Sequence, residues 1–180
     1  GVGGGAGSPP GLERAAAAGG NGNQGGDFAG SVRRVPMLVG HEGDYYVALS
    51  LAVVRTLLGF PRVQPGYPSE RLMSKDYAAM EWLSVGPLNI PVDETASALV
   101  PFRGDKFSFR YISLADVIKD RIPAGALKGR IAIVGTTAPG LLDQRSTPVS
   151  NVYPGVEIHA NLSAGMLDRT IKQKPSYLVG

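Results

Sequence analysis

Twelve of the 25 glycines in this 180-residue chain fall within its first 30 positions, and no other feature limits the fold as strongly. Glycine loses the most backbone freedom on ordering and brings no side chain to bury. Residues 1–10, rich in Gly and Pro, are therefore expected to form a flexible tail or linker, with the folded domain over residues 11–170. Residues 12–18 form an Ala-rich helix candidate that Gly19 and Gly20 would stop, and residues 27–30 look like a turn.

Beyond that point the apolar pattern is that of an α/β chain. Val35, Met37 and Val39 alternate within residues 32–39, and Pro36 assigns that strand to a sheet edge. Residues 47–58 are apolar on most sides and end at Gly59, which predicts a buried helix. Residues 61–74 are expected to be a loop, and 80–85, 88–92 and 98–102 short strands in a meander. Phe107, Phe109 and Tyr111 alternate with polar residues, predicting a further strand; Ser113 is a candidate N-cap for a helix over 114–119. Residues 123–127 suggest a helical turn. The apolar run 130–135 has the length of a central strand, so Ile131, Ile133 and Val134 are expected among the most buried side chains, with Leu51 and Val54 on the same sheet. A polar loop over 136–153 then leads to Pro154, suited to the first turn of a helix reaching about Asp168.

Several chemistries are excluded or weakly supported. No cysteine is present, which removes disulfides and thiolate chemistry, and a net charge of +3 makes nucleic acid an unexpected partner. No apolar run approaches the roughly 18 residues of a membrane span, and residues 1–11 do not resemble a signal peptide. Gly20, Gly22 and Gly25 have dinucleotide-fingerprint spacing but the wrong flanking elements, while Gly135 and Gly140 frame a P-loop spacing that ends in Leu141 and Leu142 instead of Lys and a hydroxyl. Glu157 and His159 are two apart and would point different ways on a helix, so no metal site is indicated; no cofactor is expected either.

One loop has the character of a ligand site. Residues 135–145 leave the carboxyl end of the expected central strand, where open α/β sheets form crevices. Thr136, Thr137, Asp143 and Arg145 offer hydroxyls and opposite charges there. An internal ion pair between Asp143 and Arg145 that only holds the loop is the plainer alternative.

The segments 31–39 (SVRRVPMLV), 90–94 (IPVDE), 102–104 (FRG), 111–117 (YISLADV) and 127–136 (LKGRIAIVGT) occur in the order seen in the second type of CHASE sensory domain. Asp143, Thr147 with Pro148, and 153–160 (YPGVEIHA) resemble the closing block of that family, so the likeness runs from about residue 12 to 167. It implies an α/β domain with a mixed sheet and flanking helices. The resemblance further implies an α/β half N-terminal to the Ala-rich segment, so the chain is expected to represent an incomplete, C-terminal portion of a larger sensor domain. The resemblance also implies the periplasmic or extracellular side of a bacterial membrane protein, anchored through segments outside this chain, with residues 171–180 as a connector. Output modules in such proteins include nucleotide cyclases, histidine kinases and serine/threonine kinases.

Function is accordingly expected to be that of a sensing or dimerising input domain, not an enzyme. Its partner would be an unidentified small molecule or protein, or a second copy in a homodimer. The helix bearing Pro154, Glu157, His159 and Asp168 is the expected output element; if it continued, each residue inserted after Asp168 would rotate the downstream chain by about 100°. A small-molecule hydrolase or transferase using Asp143 and His159 is the alternative from another class. A purely structural assembly module is the third.

Overall fold

The computed structural model describes residues 30–42, 44–68, 80–137 and 143–173. The expected tail at 1–10, the helix at 12–18 and most of the connector at 171–180 lie outside the described residues.

The fold combines helices with small antiparallel sheets, and is α/β. β1 (Arg34–Pro36) pairs with β7 (Ser97–Leu99), and β2 (Leu38–His41) forms a hairpin with β3 (Asp44–Val47). A three-stranded meander joins β4 (Val63–Gly66), β5 (Trp82–Val85) and β6 (Leu88–Pro91) in that order. β8 (Gln144–Arg145) pairs with β9 (Tyr153–Pro154). The helices are α1 (Leu49–Leu57), α2 (Leu114–Ile118) and α3 (Gly155–Leu167).

The meander follows from alternation and turn chemistry. Leu83 and Val85 on β5 face the core with Leu88 and Ile90 on β6, while Asn89 between them is exposed. Gly86 and Pro87 close the hairpin, and Gly86 has φ +56°, the positive value required at the first position of a primed turn. α1 supplies Leu51 and Val54, both fully buried, and packs directly on α3, which contributes Ile158, Leu162 and Met166. At the far end of α1, Gly59 takes φ +77° and donates its N–H to Thr56 O, the expected glycine stop.

Several expectations fail, each for a reason of pairing. The strand expected over 98–102 leaves the meander, because β7 pairs with β1, and the loop expected over 136–153 contains β8, paired with β9. The strand expected over 32–39 is broken at Met37, whose N–H goes to Ala96 O and whose carbonyl accepts from Ala48 N–H, splitting the run between two sheets. The loop expected over 61–74 contains β4, because Pro65 lies opposite Leu83 on the outer strand of the meander, where a missing N–H is tolerated. Residues 107–111 alternate but make no strand: the N–H groups of Phe107 and Ser108 are taken by a carboxylate on α3. Residues 130–135 are not a central strand, since among the described residues they have no ladder partner. Ile131 and Val134 are 43% and 75% exposed and Ile133 is half-buried, which corrects their assignment to the core. An apolar run becomes a buried strand only where a neighbour accepts its backbone hydrogen bonds.

Candidate functional site

α3 carries Glu157 and His159 and packs against Asp143. Its first residue, Gly155, follows Pro154 at the N-cap position, and the N–H of Gly155 donates to Asp143 O at 2.8 Å. The Asp143 carboxylate lies so close to the Gly155 α-carbon that a methyl group there would collide with it. The absence of a side chain thus lets a carboxylate sit over the first turn of a 13-residue helix, where the helix dipole favours negative charge.

His159, one turn further on, faces the same carboxylate. Burial pushes its imidazole below the ordinary value, and Asp143 pulls it partly back. Its Nδ1 is buried without a hydrogen-bond partner among the described residues.

The remaining candidates in the loop are held less tightly. Gly135 passes so close to α3 that a methyl group would strike Val156, and the exposed Thr136 and Thr137 come directly after it. Residues 138–142, with Leu141 and Leu142, lie outside the described residues. Arg145 is half-buried in β8 opposite Tyr153 of β9. Asp143, His159 and the start of α3 therefore form one cluster with Arg145 on the adjoining ladder.

Glu157 is the residue whose role the sequence understated. It is 2% exposed, yet its carboxylate accepts four hydrogen bonds: from Phe107 N–H, Ser108 N–H and Ser108 hydroxyl at 2.8 Å each, and from Tyr111 hydroxyl at 2.6 Å. Burial raises its carboxyl, but these four donors more than compensate and hold it below the ordinary carboxylate range. The phenol of Tyr111 is raised by burial of its hydroxyl and by the same anion; Tyr153 is raised by burial, against donors that lower it.

One turn along, Asn161 is 1% exposed. It accepts from Arg103 N–H at 3.0 Å and donates to Tyr153 hydroxyl and Glu157 O at 2.9 and 2.8 Å. At the helix end, Asp168 pairs with the Arg103 guanidinium at 2.6 Å. The partners that residues 103–111 supply were not visible in the sequence, because they lie 46 to 65 positions away and carry no spacing signal. Glu157 is engaged by residues 107–111, whereas the His159 imidazole feels the charge of Asp143. Among the described residues no group of three metal-ligating side chains converges, and no helix is long and apolar enough to cross a membrane.

Comparison with known proteins adds a family. No curated protein and no solved structure matches the chain. A family model for the CHASE2 domain matches residues 7–179, nearly the whole length. The order of the matching segments, the α/β fold and this coverage agree, and the chain belongs to the CHASE2 domain family of extracytoplasmic sensory domains.

Proposed function

We propose that this domain is the input module of a bacterial membrane-bound signalling protein, such as a nucleotide cyclase, a histidine kinase or a serine/threonine kinase. It binds a small polar molecule or protein, or dimerises, on the periplasmic or extracellular side, and passes the change through α3. The observation that carries this reading is the position of α3. The Asp143 carboxylate lies over its first residue with His159 one turn further on, its middle is locked into the core by Ile158, Leu162 and Met166, and its C-terminal end meets Arg103 through Asp168. A ligand at Asp143, Arg145, Thr136 and Thr137 therefore bears on an element that cannot shift without repacking α1.

The exit differs from a continuous helix. α3 ends at Leu167, Arg169 takes φ +55°, and Thr170 N–H turns back to Gly165 O. Ile171 then buries itself against the core, 7% exposed. Output in this reading passes through a docked turn.

Ligand-dependent melting against a panel of small polar compounds tests the proposal. A saturable rise in Tm that Asp143→Asn and Arg145→Ala abolish, without turnover of the compound, supports a sensor. Turnover dependent on Asp143 and His159 supports a hydrolase or transferase instead. A concentration-dependent mass with no ligand response supports an assembly module.

A further inference from the structure

Residues 101–111 run along the whole of α3 as a strap. The Pro101 ring rests on Gly165, where a methyl group would collide with it. Arg103 reaches Asn161 through its N–H and Asp168 through its guanidinium. Phe107, Ser108 and Tyr111 then converge on Glu157. The helix positions used, 157, 161, 165 and 168, are spaced by four, four and three, so they form one stripe.

Little apolar burial holds the strap down. Within residues 103–111 only Gly104 and Phe109 are half-buried, the others are exposed, and Phe107 is 58% exposed. Its attachment rests on polar contacts, and most of them end on one carboxylate. That carboxylate pairs with no basic side chain among the described residues, so its charge is compensated by the four donors the strap brings. An ionised carboxylate accepts from all four, whereas a protonated one turns a donor toward donors. The ionisable groups facing it are Tyr111 from the strap and Tyr153 from β9; the Arg103–Asp168 pair lies at the other end of the stripe, and His159 faces Asp143.

We infer that Glu157 is a latch: the strap has a closed state held by its buried carboxylate and an open state in which residues 103–111 lift away from α3 while the core stays folded. Opening exposes the polar row of Tyr153, Glu157 and Asn161 and frees the approach to α2, which starts three residues after Tyr111 and has no buried side chain of its own. Local opening of a segment at lower cost than global unfolding is the ordinary consequence of attachment through a few polar contacts. The inference does not depend on the sensory reading, because it concerns this chain alone.

Amide hydrogen exchange on the 180-residue chain tests it. In Glu157→Gln the amides of Phe107 and Ser108, corrected for intrinsic rates, should exchange at least about tenfold faster, while those of α1 and β5 keep their protection. The double variant Ser108→Ala, Tyr111→Phe keeps the carboxylate and removes only strap donors; it should accelerate the same two amides and carries the test if Glu157→Gln fails to fold. In the unaltered chain, lowering pH through the carboxylate range should release Phe107 and Ser108 before the core amides. Unchanged protection at these two amides in the variants, or loss only in step with α1 and β5, overturns the latch and makes Glu157 a core-packing residue.

Discussion

Phe107 and Glu157, 50 positions apart, are joined by a 2.8 Å hydrogen bond from a backbone N–H to a carboxylate. With the neighbouring bond from Ser108 N–H, it diverts the backbone of an alternating segment away from any sheet and onto a helix. The consequence is a domain in which one helix serves both as core element and as anchor of a polar strap.

Asn161→Ala should lower stability by about 1–3 kcal/mol, because it removes a donor to the buried Tyr153 hydroxyl and leaves the Arg103 N–H without its acceptor. Urea denaturation monitored by circular dichroism measures this. A change within about 0.5 kcal/mol, the range of ordinary surface substitutions, would contradict the network.

Gly165→Ala sets two effects against each other. Alanine favours a helix interior by about 1 kcal/mol over glycine. Here the added methyl group meets the Pro101 ring, and overpacking of this kind costs about 1–3 kcal/mol. The ring belongs to a backbone segment and cannot swing aside, so the variant is expected to be less stable in equilibrium unfolding. A gain in stability would mean that residue 101 moves freely.

Leu51→Ala, at a fully buried site on α1, should cost about 2–5 kcal/mol. Val134→Ala, at a side chain that is 75% exposed, should change stability by less than about 0.5 kcal/mol. Measuring both in one urea series separates the observed core from the one that apolar periodicity suggests.

Acid should weaken the fold in two stages. The imidazole of His159 is depressed by burial from its ordinary value of 6.5, so the unfolded chain binds that proton more readily, and stability falls as pH drops below that value. Glu157 is depressed from 4.5, so its contribution is present above that value and is lost as pH falls through its lower folded pKa. His159→Gln should flatten the first stage and leave the second. Identical stability–pH curves for the two proteins would show that His159 is not held neutral by burial.

If the proposed reading holds and the domain is followed by an output module, inserting residues after Asp168 should alter output with the first residue and should not restore it after a full helical turn. The reason is that α3 has already ended and Ile171 is docked in the core. Output that oscillates with a period near 3.6 residues would instead indicate a helix running through this point.

By itself the sequence determined the elements whose signals are local. α1 was legible because its apolar residues and the Gly59 stop lie within one segment, and α3 because Pro154 and the apolar stripe announce it. The meander was legible through β5 and β6, whose side chains alternate on either side of Gly86. Asp143 and His159 could each be named as candidates, and family membership could be read from the order of short segments. Matters of partnership were decided only by the tertiary structure. Periodicity reports which faces of a segment are apolar, but not whether another backbone will accept its hydrogen bonds. Residues 107–111 and 130–135 share that strand-like pattern, yet the first is claimed by Glu157 and the second finds no ladder partner among the described residues. Likewise Glu157 is an ordinary helix glutamate in the sequence, and becomes a buried four-donor anion only when a strap some 50 residues upstream closes over it.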